Sequence, residues 1–212
     1  DALNLYVFPE ELDYTDERPL DATWHRLDSS VRETDPDFEL PSVVADRPVD
    51  SGLVYLSLGS LGSADVELMK RLIEVLGQTP HRYIVSKGPQ HAEYDLADNM
   101  WGAEFVPQTR IVPMVDAVIT HGGNNTTTEA IHYGKPMIVL PLFWDQYDNA
   151  QRVDETGYGV RLATYEFSVA EMRAALETVL GDQALRARAA AAGERVRAND
   201  GLRRAADLIG SV

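Results

Sequence analysis

Residues 105–149 read FVPQTRIVPMVDAVITHGGNNTTTEAIHYGKPMIVLPLFWDQYDN. At the centre of this stretch, an apolar strand over residues 117–119 leads into the turn THGG (120–123), and NNTTTE (124–129) then opens a helix. Two adjacent glycines let a backbone approach a ligand without an intervening Cβ, and Asn and Thr side chains cap helix starts. A helix N-terminus also presents free N–H groups and a partial positive charge. A strand, a glycine turn and a helix start in this order predict an anion site, most often for phosphate.

From Val49 onward the sequence alternates between short apolar runs and amphipathic segments. The apolar runs predict strands at residues 53–58, 82–86, 103–106, 116–120, 137–140 and 159–162. The amphipathic segments predict helices at residues 66–76, 126–133, 168–180 and 182–198. Alternation of this kind indicates a parallel sheet with helices on both faces. We therefore predict an α/β fold, a Rossmann-like three-layer α/β/α domain whose ligands bind at the carboxyl ends of the strands.

Residues 1–48 form a different, acidic region without sustained periodicity. Residues 1–50 carry 14 acidic and 4 basic side chains, so most of the chain's net charge of −15 lies in its first quarter. Residues 3–8 predict a strand, and the remainder indicates a connector along the surface of this domain or of a missing one. A partly disordered acidic tail stays open as the alternative. We place the boundary at residue 48 and the ligand-binding domain at residues 49–212.

The composition narrows the class of protein. A chain of 212 residues with 44% hydrophobic and 25% charged residues is typical of a globular domain. The net charge of −15 argues against nucleic acid as a partner, because binding its phosphate backbone requires basic patches. No apolar run approaches the length of a membrane span, and no signal peptide is visible. The absence of cysteine fits a reducing compartment, so we expect a cytoplasmic protein. The first residue is Asp1 rather than Met, which suggests a fragment or a processed product.

Residues 105–149 resemble the donor-sugar signature of the UDP-dependent glycosyltransferases of family 1, which have the GT-B fold. The matches in chain order are FVPQ (105–108), THGG (120–123), Asn125-Thr126 with Glu129, GKP (134–136), Pro141 and Asp145-Gln146. A looser resemblance extends from about Val49 to the C-terminus. It implies the C-terminal, donor-binding half of a GT-B transferase. The half that binds the acceptor and supplies the catalytic His base is absent, so the resemblance assigns no catalytic residue to this chain.

The resemblance implies which side chains hold the nucleoside. Phe105 stands where the family usually has a Trp that stacks on uracil, and a core Phe is the open alternative. Val106, through its backbone, and Gln108 contact the base and the ribose in this interpretation, although Gln108 after a proline also fits turn chemistry. Glu129 accepts from the ribose hydroxyls in the family. It lies three residues after Thr126, at capping-box spacing, so a purely structural cap is its alternative.

The resemblance implies that the diphosphate lies at the THGG turn. The His of that turn, here His121, meets the diphosphate in the family, and the backbone at Gly123 passes close to it. Asn125 and Thr126 hold phosphate oxygens at the helix start, where they also cap the helix. Ser60, in the glycine loop after the first strand, is expected to approach the diphosphate, with an ordinary turn as the alternative.

The transferred sugar is assigned to the end of the signature. Asp145 and Gln146 hydrogen-bond its hydroxyls in the family, and Gln at the second position favours glucose in some branches. Asn124 replaces a Trp that is common in plant members, which changes the sugar contact at that position.

Two further patterns are interpreted as unrelated to this site. Residues 35–37 (DPD) have the form of the Asp-x-Asp metal motif of another glycosyltransferase fold. No apolar strand precedes them, so we expect a chance match and no metal site. The arginines of the C-terminal helices are expected to form a solvated face or to contact the acidic connector, rather than nucleic acid. They are Arg186, Arg188, Arg195, Arg197, Arg203 and Arg204.

These assignments predict the donor half of an inverting, metal-independent glycosyltransferase that needs no cofactor beyond its UDP-sugar substrate, with glucose favoured. The absent half would bind a small-molecule acceptor, whose hydroxyl is the nucleophile. We expect this chain alone to bind the donor and to transfer its sugar poorly or not at all. Three alternatives stay open: a natural split transferase, a sugar-nucleotide epimerase of the same fold, and a non-catalytic nucleotide-sugar-binding module.

Overall fold

The computed structural model describes residues 3–32 and 34–211. Its strands are β1 (Asn4–Tyr6), β2 (Trp24–Arg26), β3 (Leu53–Ser57), β4 (Arg82–Ser86), β5 (Met100–Ala103), β6 (Ala117–Thr120), β7 (Met137–Val139) and β8 (Gly159–Arg161). Its α-helices are α1 (Ser42–Ala45), α2 (Gly59–Gly62), α3 (Val66–Gly77), α4 (Gln108–Ile111), α5 (Asn124–His132), α6 (Gln146–Glu155), α7 (Val169–Gly181), α8 (Gln183–Ala198) and α9 (Gly201–Gly210).

Strands β3 to β8 form one sheet in the order β5-β4-β3-β6-β7-β8, and every pair of neighbours is parallel. The chain fills one side of β3 with β4 and β5, and then returns to build β6, β7 and β8 on the other side. β3 and β6 are therefore neighbours at the switch point, where Ser57 pairs with Thr120 at their carboxyl ends. Ligands of open parallel sheets bind in the crevice outside such a point. The predicted α/β fold with a parallel sheet is confirmed.

Helices cover both faces of this sheet. Side chains alternate along β3, so that Val54 and Leu56 join the apolar cluster with α3 and α7, whereas Leu53 and Tyr55 join the cluster with α5, α6 and α8. All five residues of β3 are buried, as expected for a central strand covered on both sides. Each such aliphatic side chain contributes about 1.5–3 kcal/mol by leaving water. Within residues 3–32 and 34–211, no helix combines the length and the apolar composition needed to cross a bilayer.

Local sequence explains where the longer helices begin. The Asp65 carboxylate accepts a backbone N–H at the start of α3, and Asp182 does the same at the start of α8. Ser168 and Glu171 form a complete capping box at the start of α7. Each cap satisfies N–H groups that a helix start leaves free, which contributes about 0.5–2 kcal/mol.

Some predicted boundaries are wrong. β5 ends at Ala103 instead of beginning there, so Phe105 and Val106 lie in the loop that follows the strand. α5 begins at Asn124, two residues before the predicted start, because Gly123 takes the N-cap position. Helices α6 and α9 were missing from the prediction. Polar residues dominate α6, and α9 follows the sequence NDG (199–201), which is typical of a turn.

The acidic N-terminal segment packs along the domain. β1 and β2 form a separate parallel pair, so the strand predicted at residues 3–8 is present over Asn4–Tyr6. Leu12 and Val44 are fully buried in the same apolar cluster as Tyr55. For the described residues, the alternative of a disordered acidic tail is therefore wrong. The division of the chain at residue 48 stays a prediction.

Arginines on the domain hold this segment in place. Arg195 on α8 donates to the carboxylates of Glu11 at 2.6 Å and Asp28 at 3.1 Å. Arg152 on α6 donates to Asp16 at 2.7 Å. The Glu11 hydrogen bond, with support from Asp28, raises the pKa of Arg195 even above its already high value. The predicted contact between the arginine-rich C-terminal helices and the acidic connector is confirmed at Arg195.

Candidate functional site

A cavity of about 570 Å³ opens at the carboxyl ends of β3 and β6. Eleven of the twelve residues predicted to bind the donor line this cavity, and Asp145 is the exception. The eleven are Ser60, Phe105, Val106, Gln108, His121, Gly123, Asn124, Asn125, Thr126, Glu129 and Gln146. The fold thus brings together residues from four separate parts of the sequence, and their roles toward a ligand stay predictions.

The imidazole of His121 lies between two glycines. A Cβ at Gly59 would stand 2.9 Å from the ring, and one at Gly123 would stand 2.5 Å from Nε2. Any other residue at these two positions would displace the ring, and Gly59 also has a positive φ of 68° that favours glycine. Burial lowers the pKa of His121, although the charge of Asp145 and a hydrogen bond with the Ser57 backbone act in the opposite direction. The lowered pKa favours the neutral imidazole, which has one N–H donor and one accepting nitrogen.

The start of α5 faces the same cavity. Thr127 N–H donates to Gly123 O at 3.0 Å as the first bond of the helix, which leaves the N–H groups of Asn124, Asn125 and Thr126 without an intrahelical partner. Gly123 is the N-cap, and no side chain of the described residues caps the helix. The prediction that Asn and Thr side chains cap α5 is therefore wrong. The side chains of Asn124 and Asn125 are exposed instead, so both are available to a ligand.

Asn149 on α6 supports this turn, and the sequence analysis missed it. Its side chain is 5% exposed. Its Nδ2 donates to Gly122 O and to Asn124 Oδ1, both at 2.8 Å. These two bonds hold the left-handed Gly122, which has a φ of 86°, against the first residue of α5. Only the three-dimensional contact reveals this role, since Asn149 lies beyond the last position that the signature fixes.

Gln108 and Glu129 are joined directly in the wall of the cavity. Gln108 Nε2 donates to Glu129 Oε2 at 2.6 Å and to Thr126 Oγ1 at 3.2 Å. The capping-box alternative for Glu129 is wrong, because Thr126 is inside the helix and caps nothing. Burial raises the pKa of Glu129, whereas the Gln108 hydrogen bond and the charge of Arg32 lower it in part.

Phe105 and Ser60 lie at the mouth of the cavity. Phe105 is 69% exposed, so the alternative of a core Phe is wrong. An exposed ring on a loop is free to stack on a base, which contributes about 1–3 kcal/mol per base in nucleic-acid complexes. Val106 is half-buried and packs against the core, which leaves its backbone toward the cavity. Ser60 is exposed within the short helix α2.

The loop before α6 carries Asp145 and Gln146. Gln146 is 4% exposed, and its Oε1 accepts the N–H groups of Leu142 and Phe143 at 3.0 and 3.2 Å. The amide oxygen of Gln146 is thus occupied, and only its Nε2 is left for a ligand. Asp145 is exposed beside the cavity. Trp144 before it has a φ of 53°, a conformation that costs a non-glycine residue of the order of 1–3 kcal/mol and recurs at functional loops.

Arg32 from the N-terminal segment lines the cavity without having been predicted. Within the described part of the chain it is the single Lys or Arg side chain that does so. Its Nε donates to Asp35 Oδ1 at 2.9 Å. Asp35 Oδ2 in turn accepts from the N–H and the hydroxyl of Thr109 at 3.2 and 2.9 Å. The first Asp of the DPD sequence therefore supports the first turn of α4, which begins with Gln108. Among the described residues, no group of three or more His, Cys, Asp or Glu side chains is arranged to hold a metal ion.

Comparisons with known proteins agree with this architecture. Residues 39–191 match the family described as UDP-glucoronosyl and UDP-glucosyl transferase. The chain is 34% identical over 175 residues to NDP-glycosyltransferase YjiC of Bacillus subtilis (strain 168), across 81% of this chain and 44% of that protein. The chain thus spans less than half the length of this relative.

Solved structures share the fold. The glycotransferase of kitacinnamycin superposes with a TM-score of 0.84 at 24% identity, over 99% of this chain and 54% of that one. The glycosyltransferase VinC in complex with dTDP superposes with a TM-score of 0.76 at 21% identity, over 98% of this chain and 51% of that one. The chain has the Rossmann-like α/β architecture found in GT-B glycosyltransferases. With a family match that covers more than half of its length, it belongs to the UDP-glucuronosyl and UDP-glucosyl transferase family.

Proposed function

We propose that this chain is the donor-binding part of an inverting, metal-independent glycosyltransferase and that it binds a UDP-sugar in the cavity at β3 and β6. The observation that carries the proposal is the convergence in one cavity of His121, the free start of α5 and the buried carboxylate of Glu129. These three groups differ in what they attract. A helix start and a neutral imidazole donate to phosphate oxygens, whereas a carboxylate accepts from hydroxyl groups and repels phosphate.

The order of these groups along α5 supports one direction for the ligand. The diphosphate lies at the start of the helix, where Asn125 and Thr126 add side-chain donors to the free N–H groups. The ribose lies one turn further along, where Glu129 accepts from its hydroxyls. The base extends toward the loop at Phe105, whose exposed ring stacks on it.

The chemical step is the attack of an acceptor hydroxyl on the anomeric carbon of the sugar, with inversion at that carbon. The bond from this carbon to the diphosphate oxygen breaks, and its electron pair leaves with UDP. Negative charge grows on the diphosphate during this step, so donors aimed at its oxygens stabilise the transition state more than the ground state. We assign that role to His121 and to the start of α5. From the family resemblance we infer that the acceptor and the base that takes its proton belong to a part of the protein outside this chain.

The choice of donor is also part of the proposal. UDP-glucose is favoured, because the Asp145-Gln146 pair resembles that of glucose-transferring branches of the family. dTDP-sugars are the competing class, and VinC was solved in complex with dTDP. The two classes differ at the 2′-hydroxyl of the ribose, which Glu129 would contact.

Thermal unfolding in the presence of UDP, dTDP, ADP, GDP and UDP-glucose, each with and without EDTA, tests the proposal. A ligand at about 100 times its dissociation constant stabilises a protein by about 2.7 kcal/mol, which raises the melting temperature of a domain of this size by about 5–10 °C. We expect this rise with UDP and UDP-glucose, with or without EDTA.

Matched variants separate binding from general damage. His121→Ala and Glu129→Ala are expected to abolish the rise. His132→Ala, which removes another half-buried histidine at the far end of α5, is expected to keep it. Absence of any shift for the wild-type chain with every nucleotide would overturn the proposal.

A further inference from the structure

Tyr55 is a buried phenol to which the proposed donor site assigns no role. It lies on the central strand β3 and is 1% exposed, with its ring in the apolar cluster under α5. Its hydroxyl nevertheless reaches the wall of the cavity and donates to Gln108 Oε1 at 2.9 Å. Burial raises the pKa of Tyr55 well above its ordinary value, so the hydroxyl keeps the proton that it donates.

This hydrogen bond selects one orientation of the Gln108 amide. An amide has one accepting end and one donating end. With its oxygen facing the phenol, the amide turns its nitrogen toward Glu129 Oε2, 2.6 Å away. The flipped amide would place its oxygen against the carboxylate, and the phenol would have to accept from the amide nitrogen instead of donating. Hydrogen bonds in such a chain also polarise one another, so that each one strengthens the next.

The chain of hydrogen bonds ends at a carboxylate with one oxygen still available. Glu129 Oε2 is held by Gln108, and Oε1 has no hydrogen-bond partner among the described residues. Glu129 lies in the cavity wall and is 8% exposed. A carboxylate fixed by one oxygen in a largely buried site presents the other in a defined direction, which suits a pair of neighbouring hydroxyl groups.

We propose that Tyr55 is a positioning residue that acts through Gln108 to hold Glu129 with Oε1 directed at the ribose hydroxyls of the nucleotide. The inference rests on the proposed function, because it takes the ligand to be a ribonucleoside diphosphate. In this role Tyr55 acts through Gln108 rather than through a contact of its own with the ligand. Its contribution to binding therefore depends on whether the ligand carries the hydroxyls that Glu129 accepts from.

The test compares two buried tyrosines on neighbouring strands. Tyr55→Phe removes the hydroxyl that begins the series of hydrogen bonds from Tyr55 through Gln108 to Glu129. Tyr83→Phe on β4 is the matched control, because Tyr83 is fully buried. Among the described residues its hydroxyl bonds only to Thr79 Oγ1, at 2.7 Å and away from the cavity. Gln108→Leu removes the middle member of the same series of hydrogen bonds without altering β3. Titration calorimetry of the 212-residue chain with UDP and with 2′,3′-dideoxy-UDP gives the affinity of each variant.

Tyr55→Phe is expected to weaken UDP binding by about three- to tenfold, the effect of one lost hydrogen bond when 1.4 kcal/mol corresponds to a factor of ten. Tyr83→Phe is expected to bind UDP as the wild type does. With dideoxy-UDP, Tyr55→Phe and the wild type are expected to bind equally, because Glu129 then has no hydroxyl to accept from. A purely structural effect of the substitution would weaken both ligands alike.

Each outcome bears on a distinct claim. A wild-type chain that binds no pyrimidine nucleotide would overturn the proposed function and the inference with it. If the wild-type chain binds UDP, two results would overturn the inference alone. In the first, Tyr55→Phe binds UDP as well as the wild type does. In the second, Tyr55→Phe loses affinity for UDP and dideoxy-UDP to the same extent. If Tyr55→Phe does not fold, Gln108→Leu decides, and an equal loss of UDP and dideoxy-UDP in that variant would overturn the inference.

Discussion

Gly123→Ala places a methyl group where the imidazole of His121 stands. The backbone at position 123 has φ −64° and ψ 142°, which alanine adopts without strain. The obstacle is the neighbouring ring, since the new Cβ would lie 2.5 Å from Nε2 and 2.8 Å from Cε1. The substitution therefore acts through one contact, and its whole effect should depend on the presence of His121.

Three terms set the magnitude of this effect. Overpacking against a buried ring costs about 1–3 kcal/mol. Alanine is also a poorer N-cap than glycine by about 0.5 kcal/mol. Alanine also restricts the unfolded backbone more than glycine does, which stabilises the folded state by about 0.4–1 kcal/mol. The last two terms nearly cancel, so Gly123→Ala should lower the free energy of unfolding by about 1–3 kcal/mol in the wild-type chain and by close to zero in His121→Ala.

Urea denaturation of the four chains of this double-mutant cycle measures the coupling free energy directly. Gly122→Ala serves as the contrast, because a φ of 86° at Gly122 strains alanine whether or not His121 is present. Equal costs of Gly123→Ala in both backgrounds would show that the imidazole does not occupy the space between the two glycines. The assigned orientation of His121 would then be wrong.

Three further predictions follow from charges in the structure. Glu129→Gln should stabilise the free chain at neutral pH and abolish UDP binding. Burial raises the folded-state pKa of Glu129, so the protonated carboxyl is the form that suits the folded chain. The contribution of Glu129 to stability is therefore full below about pH 4.3 and is lost as the pH rises through the folded pKa. A variant that is no more stable in urea at pH 7, or that still binds UDP, would contradict this. Asp28→Asn should loosen the N-terminal segment. Burial raises the pKa of Asp28, but its bonds to Arg195 and Asn199 outweigh burial, and the net pKa is lowered. The stability that the Asp28 carboxylate provides is present above about pH 3.9 and is lost as the pH falls through the folded pKa. Unfolding measured from pH 6 to pH 2 should show a smaller acid dependence in Asp28→Asn than in the wild type. Finally, the chain alone should release no UDP from UDP-glucose with a panel of acceptor alcohols, and steady turnover in a coupled UDP assay would show that it holds its own base.

The sequence was sufficient to predict the sheet and the position of the site, because both depend on short-range patterns. Buried parallel strands are continuous apolar runs, and β3 and β6 are recognised from residues 53–58 and 116–120 alone. Their carboxyl ends then fix where polar loops converge. The boundaries were less certain, because three of the four residues 103–106 are apolar and only the pairing with β4 selects residues 100–103 instead.

The contacts that support the site could not be predicted, because each joins residues far apart in sequence. Asn149 bonds to a carbonyl 27 positions away, and Tyr55 to an amide 53 positions away. Asp35 supports a helix that begins 73 positions later. Nothing in the local sequence of these three residues distinguishes a supporting side chain from an ordinary buried or capping one. The start of α5 was misplaced for a related reason, since intrinsic preference favours Asn or Thr as N-cap but the turn after β6 already ends at Gly123.

Under the proposed function, a chain with a net charge of −15 binds a dianion through local groups, and the geometry of α5 sets attraction against repulsion. Glu129 follows Asn124 by five positions, a rise of about 7.5 Å. At an effective dielectric constant of about 20, a unit charge at that distance is repelled by an ionised Glu129 by about 2 kcal/mol. The attraction of the helix start for an anion contributes about 0.3–2 kcal/mol, which at best cancels the repulsion by Glu129. The affinity must therefore come from the side-chain donors at the diphosphate together with the ribose hydroxyls at Glu129. We therefore expect the proposed site to bind a whole nucleotide and to bind free pyrophosphate poorly, because pyrophosphate meets the repulsion of Glu129 without the hydroxyls that compensate for it.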